Sequence, residues 1–94
     1  MIIDNVVMDT DVELKIYKKH KVTSREIKIT LKEDEPIFYK VGGEHYMVIG
    51  IYNRYLTIFF IYDNGTKTSY IRTAYPSSRW QIKLYKRKKW ILRI

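Results

Sequence analysis

The residues best suited to chemistry lie where a strand-like segment runs into a proline. The segment from Ile71 to Tyr75 brings a cation, a hydroxyl and a phenol together just before Pro76. The guanidinium of Arg72 presents a planar fork to phosphate oxygens, and the hydroxyl of Thr73 can share that load. Tyr75 could stack on a base or act as a general acid. These three side chains are candidates for a phosphodiester site, and an ordinary surface arginine is the alternative interpretation of Arg72.

Two histidines and a second arginine complete the set of candidate catalytic groups. His20 lies in a lysine-rich stretch, where neighbouring cations would favour the neutral imidazole that a general base needs. A packed histidine that only hydrogen-bonds is the competing interpretation, and for His45, at a strand start, it is the stronger one. Arg54 lies in a turn, and regular strand register would bring it to the same end of the sheet as Arg72.

Metal-independent cleavage of RNA requires a base for the 2′-hydroxyl proton, cations for the phosphoryl oxygens and an acid for the leaving 5′-oxygen. Among the candidates, His20 could act as the base, Arg72 could bind the phosphoryl oxygens and Tyr75 could act as the acid. The chain has no cysteine, its two histidines are far apart, and its carboxylates cluster at helix ends. We therefore expect neither a metal site nor a cofactor. No glycine pattern resembles a phosphate-binding loop.

Positive charge is concentrated in the C-terminal third of the chain. The formal net charge is +8, and the segment from Arg79 to Ile94 contains seven cations and no acid. This asymmetry favours a polyanionic partner, nucleic acid first and an acidic protein second, over a merely solubilising surface. The cations that we expect to hold the phosphate backbone of RNA are Lys19, Arg25, Arg79, Lys83, Lys86, Arg87 and Lys88.

Length and composition predict a single globular domain over residues 1–94. The chain is 46% hydrophobic and 30% charged, which is typical of a soluble domain with one core. It contains no apolar run of about 18 residues, so we expect no membrane span. The first residues lack a basic region followed by an apolar one, so we expect no secretory signal and a cytoplasmic location.

The hydrophobic pattern predicts an α+β fold. Two N-terminal helices are expected at residues 11–20 and 24–32, the second opened by a capping box from Thr23 to Glu26. A four-stranded antiparallel sheet should follow, with strands at 37–41, 44–52, 55–62 and 66–73.

At both ends of the chain the sequence is compatible with more than one secondary structure. A basic C-terminal helix at 79–88 is favoured over a strand because Pro-Ser-Ser is a good start signal. The apolar tail from Trp90 to Ile94 should pack on the sheet or add a last strand. Residues 1–8 form either a short edge strand or a packed lead-in.

This order of elements resembles that of BrnT-type toxins in the RelE-like superfamily of ribonucleases, part of the barnase, EndoU, colicin and RelE fold group. The resemblance covers residues 12–88. The segment from Lys19 to Val22 resembles the family's lysine-histidine-glycine-valine junction, and Tyr46 to Gly50 resembles a strand with an isoleucine-glycine end. Tyr70 to Ala74 is similar to its arginine-isoleucine-isoleucine-serine-alanine strand, and Arg79 to Lys88 to its basic last helix.

Two sites depart from the family pattern. Lys21 stands where the family has glycine, which changes the bend between the two helices. Tyr75 and Pro76 replace an arginine and its neighbour, which removes one cation from the expected site.

The resemblance implies an endoribonuclease toxin that cleaves RNA by attack of the 2′-hydroxyl and is neutralised by an antitoxin. The implied partners are RNA and a cognate antitoxin, in a homodimer or a toxin–antitoxin hetero-oligomer, and no membrane. The sequence leaves open whether the chain is an enzyme. A non-catalytic nucleic-acid-binding module and a protein-interaction module with an acidic partner are the alternatives on the same fold.

Overall fold

Three helices and five strands make up the part of the chain that the computed structural model describes, which is residues 1–32 and 36–92, with side chains to Lys88. In chain order the elements are β1 (Asn5–Val7), α1 (Thr10–His20), α2 (Ser24–Lys32), β2 (Ile37–Gly42), β3 (His45–Ile51), β4 (Tyr55–Asp63), β5 (Thr68–Pro76) and α3 (Arg79–Leu92). The α+β class, the two N-terminal helices and the C-terminal helix agree with the sequence prediction. None of the helices in this described part has the length and apolar character that crossing a bilayer requires.

The strands form one mixed sheet in the order β1-β5-β4-β3-β2. The four strands from β2 to β5 are the predicted antiparallel meander. β1 adds a fifth strand that runs parallel to β5, with Asn5 opposite Thr68 and Val7 opposite Tyr70. The prediction of a four-stranded, purely antiparallel sheet was therefore wrong. Three residues are too few to show a strand period, and the partner of β1 is about sixty residues away in the sequence.

Helices cover both faces of the sheet. α1 and α2 cover one face, which we call the α1/α2 face, and α3 packs on the other, the α3 face. The buried residues of the α1/α2 face are Ile16, Val22, Ile27, Leu31, Val48, Leu56, Ile58, Phe60, Tyr62, Ile71 and Ala74. On the α3 face, Tyr85 and Leu84 pack with Met47, Ile49, Tyr55 and Phe59. Successive residues of the central strands thus alternate between two cores, as the period of two requires.

Gly50 lets α2 approach β3 closely. A Cβ atom at this position would lie 2.8 Å from Thr30 Cγ2 and 3.2 Å from Pro36 Cβ, which is too near for a real side chain. The register of β3 against β4 is regular at Gly50. The glycine therefore marks a close backbone approach and not a bulge.

Backbone conformation and capping determine where α1 ends and α2 begins. α1 ends at His20 because Lys21 adopts the left-handed conformation, with φ 57° and ψ 37°, and its N–H donates to the Tyr17 carbonyl. α2 spans the predicted residues, and the Glu26 N–H donates to Thr23 Oγ1 at 3.1 Å. The other half of the predicted capping box does not form, because the Glu26 carboxylate binds Arg54 instead.

α3 begins after Ser78 with one half of a capping box, because the Ser78 hydroxyl has no hydrogen-bond partner among the described residues. The Ile82 N–H donates to the Ser78 carbonyl, and the side-chain oxygen of Gln81 accepts from the Ser78 N–H at 2.9 Å. The helix continues to Leu92. The alternative prediction of a last strand was therefore wrong for the residues up to Leu92. Arg93 and Ile94 lie outside the described residues.

Candidate functional site

A β-bulge in β5 sets the position of Arg72. Phe60 pairs with Ile71 and Phe59 pairs with Thr73, so Arg72 is an extra residue in the ladder. A bulge bends its strand and re-aims the side chains beside it. Arg72 is exposed and forms no ion pair with any carboxylate among the described residues. Its guanidinium is therefore free to bind an anion.

A pocket of about 360 Å³ lies beside Arg72, where α1 meets β5. We call it the edge pocket. Three basic residues of α1 line it together with Arg72 and Thr73, and none of the carboxylates in the described residues does. Its lining residues are Val12, Lys15, Ile16, Lys19, His20, Arg72 and Thr73. Such a cluster of unpaired cations with one hydroxyl suits a phosphate group.

The path of the chain brings α1 to this edge of the sheet. β1 pairs with Thr68 to Tyr70, so among the described strands the second half of β5 has no neighbour on that side. α1 packs there through Ile16, which is 3% exposed and belongs to the α1/α2 core. Lys15 and Lys19 are four residues apart and thus share one helix face. His20 is the last residue of the helix, beside the strand end.

Tyr75 is held between His20 and Phe59. The centroid of its ring lies 5.7 Å from that of His20 and 6.1 Å from that of Phe59, the latter in a stacked arrangement. Its hydroxyl oxygen accepts a hydrogen bond from Gln81 Nε2 at 2.9 Å. Because the oxygen accepts this bond, the phenolic proton remains available for donation to another group.

Buried Gln81 fixes the direction of that bond. Its Oε1 accepts from the Ser78 N–H at 2.9 Å and from Thr57 Oγ1 at 3.0 Å. A backbone N–H can only donate, so the amide oxygen must face Ser78 and the amide nitrogen must face Tyr75. The start of α3 therefore orients a candidate site residue on β5.

Arg54 is engaged in a separate cluster at the β3–β4 turn. Its Nε donates to Glu26 Oε2 at 2.9 Å, and its Nη2 donates to Glu26 Oε1 at 3.0 Å and to the Lys21 carbonyl at 2.9 Å. The hydrogen bond to Glu26 raises the pKa of Arg54 above its usual value. We call these three groups the turn lock. It ties the turn to the α1–α2 junction, one residue after His20.

The other predicted RNA-binding cations lie outside the edge pocket. Arg25 and Arg54 line another pocket, of about 560 Å³, with Thr23, Glu26, Tyr52 and Asn53. On α3, Lys86 Nζ lies 5.9 Å from the ring centroid of Tyr55, and Lys88 Nζ lies 6.0 Å from that of Tyr39. None of the described α3 side chains lines the edge pocket. Arg79, Lys83, Lys86, Arg87 and Lys88 are all exposed.

The structure thus brings together five of the predicted site residues: Lys19, His20, Arg72, Thr73 and Tyr75. Lys15 and Gln81 were missed. Their signals were present in the sequence, because Lys15 precedes Lys19 by four residues and Gln81 follows Ser78 by three, as a capping box requires. In the described part of the chain, no group of three or more histidine, aspartate or glutamate side chains could hold a metal ion.

Comparison with known proteins gives a likeness of fold. No protein-family model matches the sequence, and no curated protein matches it at a significant level. A solved structure, the crystal structure of the Brucella abortus ribonuclease toxin BrnT, is similar with a TM-score of 0.64. The match covers 80% of this chain and 97% of the toxin chain at 14% sequence identity. At this identity the likeness concerns the fold alone: the chain has a BrnT-like fold.

Proposed function

We propose that the protein is a metal-independent endoribonuclease toxin whose active centre is the edge pocket. The observation that carries the proposal is the convergence of His20, Arg72 and Thr73 in one pocket, which two lysines also line and to which no described carboxylate contributes. The fold supports it, since a solved protein with a similar fold is a ribonuclease toxin. The net charge of +8 supports a polyanionic substrate.

Arg72 binds the scissile phosphate. Its guanidinium N–H groups donate to the two non-bridging oxygens, and the Thr73 hydroxyl donates to one of them. Lys15 and Lys19 offset the negative charge that grows on these oxygens as the 2′-oxygen attacks. Because Arg72 has no ion-pair partner among the described carboxylates, no competing salt bridge must break first.

His20 and Tyr75 move the protons. The His20 imidazole takes the 2′-hydroxyl proton while the 2′-oxygen forms a bond to phosphorus. The bond from phosphorus to the 5′-oxygen breaks, and Tyr75 gives its phenolic proton to that oxygen. The products are a 2′,3′-cyclic phosphate and a 5′-hydroxyl. The imidazolium and the phenolate that remain lie next to each other, and water returns the proton between them.

Arg54 acts through position in this scheme and does not touch RNA. Its bond to the Lys21 carbonyl holds the residue that follows His20, and so fixes where α1 presents the imidazole. The exposed cations Arg25, Arg79, Lys83 and Arg87 attract the RNA backbone without reading its sequence, together with Lys86 and Lys88.

The regulatory partner in this proposal is an acidic antitoxin that covers the edge pocket. Carboxylates of that partner would bind the cations that otherwise hold phosphate, so inhibition and RNA binding would be mutually exclusive. Co-expression of the reading frame next to the gene should restore growth to cells that express the toxin. A complex of the two proteins that cleaves RNA as fast as the free toxin would contradict this part of the proposal.

The test of catalysis is incubation of purified protein with RNA in EDTA. We expect cleavage products with 2′,3′-cyclic phosphate ends, and no cleavage by an Arg72→Ala variant purified in parallel. This variant controls for contaminating nucleases. Intact RNA across substrates of varied sequence would overturn the proposal.

A non-catalytic RNA-binding module is the second candidate. It is favoured by the half-buried position of His20 and its tilted ring contact with Tyr75, which are typical of a packing histidine. This candidate predicts RNA binding that weakens steeply with salt and no cleavage by the wild-type protein.

A further inference from the structure

A second pocket adjoins Arg72 on the side away from α1. It has a volume of about 440 Å³ and draws its lining from four neighbouring strands, so we call it the cross-strand pocket. Its lining residues are Val41, Gly42, His45, Tyr46, Phe59, Phe60 and Arg72. Arg72 is common to this pocket and the edge pocket. One guanidinium therefore separates two cavities.

The two cavities differ in chemistry. The edge pocket is lined by lysines, His20 and the Thr73 hydroxyl, which suit a phosphate. The cross-strand pocket instead combines Val41, the Phe59 ring and the exposed His45, and no lysine or carboxylate is among its described lining residues. Its volume is within the usual range for small-ligand sites, about 300–1,000 Å³. It suits a flat, mostly apolar ring with a few polar atoms on its edge.

Phe59 connects the two cavities. By register it faces the same side of the sheet as Thr73, and it is incompletely buried. Its ring stacks on Tyr75 with an interplanar angle of 28°, and Tyr75 in turn contacts His20. A row of three rings therefore runs from the cross-strand pocket to the edge pocket, and Arg72 lines both of these pockets.

We infer that the cross-strand pocket is a subsite for one unpaired nucleobase, next to the phosphate that Arg72 binds. The base lies against Phe59, and the exposed His45 imidazole hydrogen-bonds its edge. Every base has an aromatic face, so stacking accepts all four, and the hydrogen bond sets a preference among them. The preferred substrate is therefore single-stranded RNA, because a base inside a duplex must first break its pair and leave its stack to enter the pocket. This inference rests on the proposed function for the phosphate position, although base binding does not require cleavage.

The test uses a short 2′-O-methyl oligonucleotide, which lacks the attacking hydroxyl and cannot be cleaved by the proposed route. A series carries one abasic nucleotide at each position in turn. For the wild-type protein, loss of the base at one position should weaken binding by about five- to a hundredfold. The Phe59→Leu variant should bind the intact oligonucleotide more weakly and should lose this penalty. A Tyr17→Leu variant, which removes an exposed ring outside both pockets, should behave as the wild type.

A second variant keeps the test valid if Phe59→Leu does not fold. His45 is exposed, so His45→Ala should leave the core intact. It should keep the abasic penalty but bind oligonucleotides that differ only in that base about equally. Equal abasic penalties at all positions, or a base preference that His45→Ala leaves unchanged, would overturn the subsite.

The outcomes separate this inference from the proposed catalysis. Base-dependent binding without cleavage of ordinary RNA would support the subsite and refute the ribonuclease. Cleavage by a protein whose binding ignores every abasic position would refute the subsite alone.

Discussion

Arg54 and Arg72 carry the same guanidinium group into different surroundings. Arg54 makes three hydrogen bonds, two to the Glu26 carboxylate and one to the Lys21 carbonyl. Arg72 is the extra residue of a bulge, is exposed, and borders two cavities. Both lie on strands or turns that flank the same candidate site, and both were predicted to act on RNA.

The difference shows how a basic protein divides its cations between folding and binding. A charge that already has a carboxylate partner must give up that partner to bind a phosphate, so its contribution goes to the fold. A charge without a partner keeps its full attraction for an anion. The turn lock and the edge pocket are therefore expected to respond to mutation in opposite ways, one in stability and the other in activity.

Removal of Arg72 should have the largest effect. Arg72→Ala should reduce RNA cleavage by about 10²–10³-fold, as for loss of one donor that stabilises transition-state charge. Its free energy of unfolding should change by less than about 0.5 kcal/mol, because the side chain is exposed. Cleavage rates in EDTA and a urea titration measure the two effects. A folded Arg72→Ala protein with wild-type activity would remove Arg72 from the site.

Removal of Arg54 should lower the stability of the protein more than its activity. Arg54→Ala leaves the Glu26 carboxylate, whose side chain is 12% exposed, and the Lys21 carbonyl without their donor. We expect a loss of about 1–3 kcal/mol in the free energy of unfolding. Well below its melting temperature the variant should keep more activity than Arg72→Ala.

The matched control for Arg54 is the Arg54→Ala/Glu26→Ala double variant. It should be less destabilised than the sum of the two single changes, because neither charge is then left alone. Additive effects would show that the turn lock contributes no pairwise stability.

Replacement of Lys21 by glycine should stabilise the protein slightly. Lys21 has φ 57°, a conformation that glycine adopts without the steric cost that a Cβ atom brings. Lys21→Gly should raise the free energy of unfolding by about 0.5–1 kcal/mol, and the Lys21 carbonyl should still accept from Arg54. Lys67→Gly is the control, because Lys67 has φ 56° but no part in the turn lock. A destabilised Lys21→Gly protein with a stabilised Lys67→Gly protein would mean that the Lys21 side chain itself supports the junction.

The salt dependence of RNA binding should distinguish the two arginines as well. For single strands, each phosphate contact contributes about 0.7 to the slope of log K against log salt concentration. Arg72→Gln should lower the slope by about that amount. The Arg54→Gln/Glu26→Gln protein, which loses a charge of each sign, should keep the wild-type slope. Equal slopes for Arg72→Gln and the wild type would place the phosphate elsewhere.

The smallest expected effect is that of pH on the turn lock. The hydrogen bond to Glu26 raises the pKa of Arg54 above its usual value, so the stability that this bond adds is fully present below the pKa of the unfolded chain. It is lost only as pH rises through the still higher pKa of the folded state. The stability difference between the wild type and Arg54→Ala should therefore be the same at pH 7 and pH 9. A difference that shrinks across this range would mean that another titrating group controls the turn.

Local patterns in the sequence predicted the helices well. α2 was predicted residue for residue, because the Thr23 hydroxyl and the helical period act within one or two turns. β1 could not be assigned, because three residues show no period and its partner strand lies at the other end of the chain. The strands from β2 to β5 were found with shifted ends, as at Lys67, where a left-handed residue delays the start of β5.

For the candidate site as well, features set by nearby residues were predicted and features set by distant contacts were not. Residue types and a predicted strand end or helix end selected His20, Arg72, Thr73 and Tyr75. The predicted strand end at Thr73 was wrong, because β5 continues to Pro76 and Arg72 lies inside it. The bulge at Arg72 depends on register with β4, which no local pattern reports. The partner of Arg54, Glu26, is 28 residues away in the sequence. Only the folded chain therefore shows that the Arg54 guanidinium is already hydrogen-bonded.

The most direct test of the account is an NMR titration of the arginine Nε–H signals with the uncleavable 2′-O-methyl oligonucleotide. Both arginines are observed in one spectrum, and Arg72→Lys and Arg54→Lys proteins assign their signals. The account predicts that the Arg72 signal shifts in proportion to bound RNA while the Arg54 signal stays at its Glu26-bound position. A shift of Arg54 with none at Arg72 would contradict it, because the RNA would then be held at the turn and not at the edge of the sheet.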